Sequence, residues 1–386
     1  MFQKLKNIYH LCQAIIANIY YGFPSRLLKV IGVTGTDGKT TTIHLIAHIL
    51  KSNSKRVSFV SSVYASIGGK EYDTGFHVTT PSPFELQKFL RRSADSGDEY
   101  FVLETTSHAL DQNRVWGIKY EIGCITNITH EHLDYHRTYE NYVDTKIKLL
   151  KMAKIGIVNK GDRSYKYIKN QISPLRPSGF EGQAKIVGDI PNLTKFNQYN
   201  YSAAYTVCKQ LGLSNSQILE AMKIFKLPKG RFELVYDKAF KVIIDFAHTP
   251  NAFENLLPEI RKKFLKKGER LIHVFGSAGK RDFTKRPLMG TVSSQYVDYI
   301  ILTEEDYRTE DPKKICQEIS SGIKNKPYEV IVNREQAISK AIAMAKKGDI
   351  VVLTGKSHEK SLCREKTEYP WNEHDAVSNA ISKLKS

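Results

Sequence analysis

The chain has 386 residues, and its 58 lysines and arginines against 40 aspartates and glutamates give a formal charge of +18. That length allows two to three domains, and no apolar run reaches the roughly 18 residues a membrane span needs. Five scattered cysteines (Cys12, Cys124, Cys208, Cys316, Cys363) form no C-x-x-C pair, which points to free thiols in a reducing cytoplasm rather than a disulfide framework.

Residues 1–28 come first. Leu5, Ile8, Tyr9, Cys12, Ile15, Ile16 and Ile19 recur at spacings of three and four, the period of a helix. Gly22-Phe23-Pro24 ends it. Lys4, Lys6, Asn7, His10, Gln13 and Asn18 interrupt the apolar run, so it is not read as a cleavable signal. The helix is expected to pack its apolar face (Ile8, Cys12, Ile15, Ile19) on the domain that follows, offering Lys4, Lys6 or Arg26 to an anion. The alternative is a membrane-surface helix, because Lys4, Lys6, Arg26 and Lys29 lack local acidic partners.

Val30–Leu50 carries the strongest local signal. A β-branched run (Val30, Ile31, Val33) meets Gly35-Thr36-Asp37-Gly38-Lys39-Thr40-Thr41, and a helical apolar pattern follows. Such a turn aims backbone N–H groups and a helix N-terminus at phosphate. Lys39 is expected to reach the outer phosphates and Thr40 to ligate Mg²⁺. Val33 stands where the strict P-loop spacing wants glycine. The inference is ATP or GTP binding.

From residue 29 to about 228, apolar runs at Val57–Val60, Tyr100–Glu104, Ile122–Asn127 and Gly156–Asn159 alternate with helical stretches. That is an α/β pattern: a P-loop-containing central domain with a doubly wound, largely parallel sheet. Leu227-Pro228-Lys229-Gly230 breaks the chain. A second series (Val242–Asp245, Leu271–Phe275, Tyr299–Leu302, Val330–Val332, Ile350–Leu353) predicts a Rossmann-like α/β domain over 229–386.

Ligands of open α/β sheets bind beyond the carboxyl ends of strands. Glu104 ends one strand there and is placed to hold Mg²⁺. The segment Thr126–His136 ends the next with several polar groups, among them Asn127, His130, Glu131, His132 and Asp134. With His108 and His136 they match no standard zinc spacing, so one histidine assisting Mg²⁺ is preferred. The positive charge is dispersed and not interleaved with aromatics. It suits anionic small molecules and solvated lysines better than nucleic acid.

Eight motifs in order, GVTGTDGKTTT, LETTSHALDQNRV, TNITHEHLDYH, YVDTKIKLL, KGRFELV, DFAHTPNAFENLL, FGSAGKRDFTKRPLMG and GKSHE, resemble the Mur ligases. Within that family the likeness is to the MurE type, which adds the third amino acid to the UDP-N-acetylmuramoyl-dipeptide of peptidoglycan. The resemblance implies an ATP-dependent amide ligase working through an acyl phosphate on small-molecule substrates in the cytoplasm. It implies Lys39 and the loop amides as phosphate cradle, Thr40 and Glu104 on a first Mg²⁺, His132 on a second, and a carbamylated Lys146 bridging toward metal. The bland alternative for Lys146 is a surface lysine like Lys148 and Lys151.

The family further implies Asn127, Asn200, Arg231 and Asp245 for the nucleotide. It assigns Thr79, Thr80, Thr106, Gln112 and Arg114 to the acyl substrate. Arg281, Glu305, Asp306, Tyr307, Arg308, Gly355 and Glu359 fall to the incoming amino acid. Enzymes selecting diaminopimelate usually show Asp-Asn-Pro-Arg where this chain has Glu305-Asp306-Tyr307-Arg308. The retained arginine can pair with a distal carboxylate, so diaminopimelate is favoured over lysine. The family also carries an N-terminal uridine-binding domain of about 80–100 residues. Here a 28-residue helix stands in that place. Two alternatives remain: a Mur-fold ligase for another acceptor, folylpolyglutamate-like or pseudomurein-like, and a nucleotide-binding scaffold without turnover.

Overall fold

The computed structural model describes residues 2–74, 79–129, 131–172, 178–180, 190 and 193–384. The chain divides into two units, Met1–Thr129 with His136–Pro228, and His130–Tyr135 with Lys229–Ser386. His130 lies outside the described residues.

Helix α1 (Phe2–Tyr20) leads to strand β1 (Lys29–Thr34), α2 (Lys39–Ser52) and β2 (Val57–Val60). The short β3 (Ala65–Ile67) and β4 (Lys70–Tyr72) precede α3 (Pro83–Asp95), β5 (Tyr100–Glu104), α4 (Ser107–Asp111) and β6 (Tyr120–Ile125). Next come α5 (Leu133–His136), α6 (Tyr139–Met152), β7 (Ala153–Asn159), α7 (Tyr165–Gln171), β8 (Ser178–Phe180), α8 (Lys195–Gln210) and α9 (Asn215–Lys223). The sheet order is β4-β3-β2-β5-β1-β6-β7-β8. Among the described residues, only the β2–β3 and β3–β4 pairings of this sheet are antiparallel.

Burial on both faces explains the parallel sheet. Ile31 and Val33 of β1 pack with Ile43, Ile46 and Leu50 of α2 and with Tyr201 and Val207 of α8. Val30 packs the other way, with Leu86, Phe89 and Leu90 of α3 and Leu149 of α6. Strand β1 lies between β5 and β6, with Val33 level with Glu104 and Thr34 level with Ile125. The phosphate loop, Glu104 and Thr126–Asn127 therefore leave the sheet side by side.

The second unit begins its sheet with β9 (Glu233–Asp237) and β10 (Lys241–Asp245), followed by α10 (Pro250–Phe264) and β11 (Leu271–Phe275). Then come α11 (Lys285–Tyr296), β12 (Tyr299–Leu302), α12 (Pro312–Ser320), β13 (Tyr328–Val330), α13 (Arg334–Met344) and β14 (Ile350–Thr354). A hairpin, β15 (Ser361–Arg364) and β16 (Thr367–Pro370), and α14 (Glu373–Lys383) close it. The order β13-β12-β11-β14-β10-β9 is parallel except at β9.

Three expectations are corrected. Strand β6 stops at Ile125, not Asn127, because Thr126 and Asn127 bond to the phosphate loop instead. The expected strand at Val330–Val332 lies two residues earlier, on the sheet edge, where burial does not hold its register. The largest correction concerns α1, which packs against α3 but not through its apolar face. Ala14, Ala17 and Asn18 are fully buried, whereas Ile8 and Ile19 stand more than half exposed, Cys12 is exposed and Ile15 only half-buried. Polar bonds set that choice: Asn18 Nδ2 donates to the Trp116 carbonyl at 2.8 Å and Asn7 Nδ2 to Asp111 at 3.2 Å.

Candidate active site

Gly38 lets the phosphate loop turn into α2. Its φ is +80°, and a Cβ there would stand 2.0 Å from Asn200 Oδ1. Asn200 is buried on α8 and donates to Asn197 Oδ1 at 3.0 Å. It thus lies at the turn itself, beside the N-terminus of α2. Gly35 is equally constrained, since a Cβ would fall 1.9 Å from Thr126 Oγ1. Asn127 then clamps the loop: its carbonyl accepts from Thr36 N–H and its Oδ1 from Asp37 N–H, both at 2.9 Å, while its Nδ2 donates to the Asp37 carbonyl. Lys39 folds its ammonium over the loop, donating to the carbonyls of Gly35 (3.2 Å) and Thr36 (2.9 Å).

A set of hard oxygen donors lies beside the loop. Thr40 Oγ1 donates to the Glu104 carboxylate at 3.1 and 3.3 Å and lies 3.0 Å from Ser62 Oγ. Ser62 N–H holds Glu104 Oε2 at 3.0 Å. Mg²⁺ takes one or two such protein oxygens and completes its shell with water and phosphate oxygens, so this donor set fits it. Thr41 is buried in the first turn of α2.

The backbone beyond β5 gathers the residues assigned to the acyl substrate. Thr80 Oγ1 donates to the Glu104 carbonyl at 2.8 Å, accepts from Thr106 N–H and lies 3.2 Å from Thr106 Oγ1. Arg114 Nη1 donates to the Thr80 carbonyl at 2.7 Å. Thr106 also caps α4 through Ala109 N–H. Gln112 is buried where α4 ends, and Thr79 is half-buried.

Lys146 is not a surface lysine. It is 1% exposed, donates to the Gly35 carbonyl at 2.7 Å and holds its ammonium 4.5 Å from the centre of the Tyr142 ring. Lys148 and Lys151, on the same helix, face solvent. Behind Tyr142, His136 Nε2 meets Ser107 Oγ at 3.0 Å. Burial, then the Lys146 charge, pushes the His136 pKa down to about 4, so this imidazole is neutral at pH 7.

The remaining site residues belong to the second unit. His132 has a left-handed backbone (φ +57°) and lies 4.0 Å from Glu131, which pairs with Lys285 at 3.0 Å. Asp245 accepts from the N–H groups of Phe232 and Ala247, each at 2.7 Å. Arg231 lies over the Phe246 ring at 4.7 Å and meets His358 Nδ1 at 3.3 Å. Lys356, fully buried, bonds Asp306 at 2.8 Å and also Glu359. Glu305 joins them; its Oε2 is buried without a hydrogen bond, and Gly355 leaves space beside it. Burial, then the Asp306 charge, raises the Glu305 pKa. Opposite in sign, Arg281 is partly buried near Arg308; burial, then that second cation, lowers its pKa. Arg308 donates to the Gly279 carbonyl at 2.8 Å, with φ +52°. Tyr307 is half-buried beside it.

Residues 33–199 match the family described as Mur ligase middle domain, and residues 230–357 that described as Mur ligase, glutamate ligase domain. The chain belongs to the Mur ligase family. This Mur ligase is 38% identical over 396 residues to the UDP-N-acetylmuramoyl-L-alanyl-D-glutamate--2,6-diaminopimelate ligase of Aquifex aeolicus, covering 95% of this chain and 80% of that protein. It is 37% identical over 405 residues to the UDP-N-acetylmuramyl-tripeptide synthetase of Borreliella afzelii, with 95% and 80% covered. A solved diaminopimelate ligase superposes with a TM-score of 0.59 at 28% identity, over 93% of this chain and 79% of that one. A folylpolyglutamate synthase/dihydrofolate synthase from Yersinia pestis gives 0.71 at 18% identity, over 98% and 95%, a likeness of fold alone. This Mur ligase is therefore an ATP-dependent, amide-forming enzyme with the two α/β domains its sequence implied.

Three site residues of this Mur ligase escaped the sequence reading. Ser62 had a signal only in its place after an apolar strand. Lys356 sat inside GKSHE, where the flanking glycine and glutamate drew notice instead. Phe246, the ring beneath Arg231, lay inside DFAHTPNAFENLL, where Asp245 was singled out instead.

Proposed function

We propose that this Mur ligase joins an amino acid bearing both a distal ammonium and a distal carboxylate, diaminopimelate rather than lysine, to the carboxylate of a UDP-N-acetylmuramoyl-dipeptide-like acceptor. One observation carries the choice: Asp306 and Glu359 pair with the Lys356 ammonium, and Glu305 is buried among them and faces Lys356 and Lys285, so three carboxylates meet two ammonium groups, near the guanidinium pair of Arg281 and Arg308. The acidic group carries surplus negative charge for an ammonium, and the arginines suit a carboxylate. Lysine would satisfy only the first.

The chemistry has two steps. An acceptor carboxylate oxygen attacks the γ-phosphorus of ATP, the bond to the β-phosphate oxygen breaks, and ADP leaves behind an acyl phosphate. The neutral amine then attacks the acyl carbon and sheds a proton, and the carbon–oxygen bond to phosphate breaks, releasing inorganic phosphate and the amide. Phosphoryl transfer needs positioning and positive charge more than covalent help. Lys39, swung off the Gly35 and Thr36 carbonyls, and the loop N–H groups supply that charge. Thr40 and Glu104 would hold Mg²⁺, which would neutralise phosphate charge there; His132 is assigned to a second ion. Arg231 and Asp245 are assigned to the nucleoside. Thr79, Thr80, Thr106, Gln112 and Arg114 orient the acceptor carboxylate. Lys146 is proposed to be carbamylated: its deprotonated amine attacks the carbon of CO₂ and loses a proton, leaving a carbamate anion.

Phosphate release with ATP and Mg²⁺ tests this across acceptors and amino acids. Turnover is expected only with a muramoyl-dipeptide acceptor, and faster with diaminopimelate than with lysine. Turnover with a pteroate-type acceptor and glutamate would overturn the substrate assignment. Phosphate release from no pair would favour a scaffold.

A further inference from the structure

The docked face of α1 is its polar and small one. Ala14, Ala17 and Asn18 are buried, Asn7 and Asn18 bond to the first unit, and Asn18 packs on Gly117. The opposite face carries Leu5 (60% exposed), Ile8 (57%), Tyr9 (59%), Ile16 (56%), Ile19 (64%) and Tyr20 (74%). At about 100° per residue these six fall within an arc of about 120°, and Lys4 and Lys6 stand about 40° beyond its two edges. Single exposed apolar residues are ordinary on a protein surface, but a contiguous stripe of six large ones marks an interaction surface.

Charge selects the occupant. The first acidic residue of the chain is Asp37, so Lys4, Lys6, Arg26 and Lys29 stand unopposed in sequence, on a chain of charge +18. A second copy of the helix would bring no acidic residue to pair with Lys4 or Lys6, since α1 contains none. An anionic bilayer offers an apolar layer for the stripe, with negative headgroups at the depth of its two lysine edges. Tyr9 and Tyr20 suit that boundary, having an apolar ring and a polar tip. No helix among the described residues is long and apolar enough to cross a membrane, so the contact lies in the interface plane.

We propose that α1 is a surface-binding helix that lays Leu5, Ile8, Tyr9, Ile16, Ile19 and Tyr20 on an anionic phospholipid surface while its opposite face stays docked on the first unit.

Co-sedimentation of the full chain with vesicles of phosphatidylcholine alone, or with one third phosphatidylglycerol, tests it. Binding to the anionic vesicles is expected to be at least tenfold tighter, and to weaken in high salt. The triple variant Ile8→Ser, Ile16→Ser, Ile19→Ser and, separately, Lys4→Glu with Lys6→Glu should each lose that binding, with solution kinetics and melting temperature unchanged. Equal binding by wild type and the triple variant would overturn the proposal, because dispersed lysines would then suffice. So would absence of vesicle binding, or a wild-type dimer that the triple variant dissolves; the latter would make the stripe a homotypic interface.

Discussion

Lys146 donates to the carbonyl of Gly35 across 2.7 Å, which ties helix α6 to the first glycine of the phosphate loop. A lysine 1% exposed is costly to keep charged unless its environment repays the desolvation. Here a carbonyl, the Thr34 hydroxyl at 3.4 Å and the Tyr142 ring do so. Lys146→Ala should leave under a hundredth of wild-type turnover, and formate or acetate should restore part of it if a carboxylate on this lysine matters. Full activity in the alanine variant would remove Lys146 from the mechanism. ¹³C NMR of the folded protein in ¹³C-bicarbonate would show the carbamate carbon directly.

Gly38 and Gly69 form a matched pair. Both have φ near +80°, but a Cβ on Gly69 meets nothing within 4 Å, whereas one on Gly38 meets Asn200. Gly69→Ala should cost about 1 kcal/mol of stability, the strain of a left-handed non-glycine residue, and leave nucleotide affinity alone. Gly38→Ala should in addition weaken ATP binding at least tenfold, since Asn200 must move at the phosphate turn. Equal nucleotide affinities in both variants, by calorimetry, would mean the turn tolerates a methyl group.

What was legible in the sequence was local or fully buried. The phosphate loop is one contiguous segment with an unbroken apolar strand before it, and β1, β5, β10, β11, β12 and β14 are apolar runs buried on both faces. Strands β4 and β16 were not legible, because they are mostly exposed and show no continuous apolar run; β9, a half-buried edge strand, offers only the short run Leu234-Val235-Tyr236. The face of α1 failed for another reason. Periodicity tells which residues share a face, but Asn7 and Asn18 decide which face docks, and their partners Asp111 and Trp116 lie about a hundred residues away. The cluster around Lys356 was illegible for the same cause: Asp306, Lys356 and Glu359 meet only once β12 and β14 lie in one sheet.

Arg308 should set amino-acid choice. Its partner cation Arg281 makes the pocket suited to a carboxylate, and an unpaired carboxylate in a desolvated site costs roughly 1–3 kcal/mol. Arg308→Ala should raise KM for diaminopimelate by about fivefold to 150-fold and leave that for lysine nearly unchanged. Arg308 also bonds the Gly279 carbonyl, so melting temperature must be compared alongside, with Arg308→Lys as the milder variant. Equal KM increases for both amino acids would mean the loop around Tyr307 has shifted and the arginine is structural.

His136 makes stability depend on pH. Its folded pKa of about 4 lies below the ordinary 6.5, so between those values the unfolded chain binds a proton that the folded chain refuses. Its contribution is therefore whole above about pH 6.5 and is lost as pH falls toward 4. From about pH 7 to pH 5 the loss amounts to about 2 kcal/mol. His273, fully buried between Ser293 and Thr354, acts in the same direction, with its pKa pushed down to about 3 by burial and Arg334. His136→Gln keeps a neutral hydrogen-bonding group for Ser107 and removes one titration. Urea unfolding at the two pH values should show a smaller acid loss in this variant than in wild type. The remainder should stay with His273 and with His48 and His10, whose pKa values burial also lowers. If the variant loses as much stability as wild type between these pH values, His136 does not titrate in that window and its ring carries no part of the acid sensitivity.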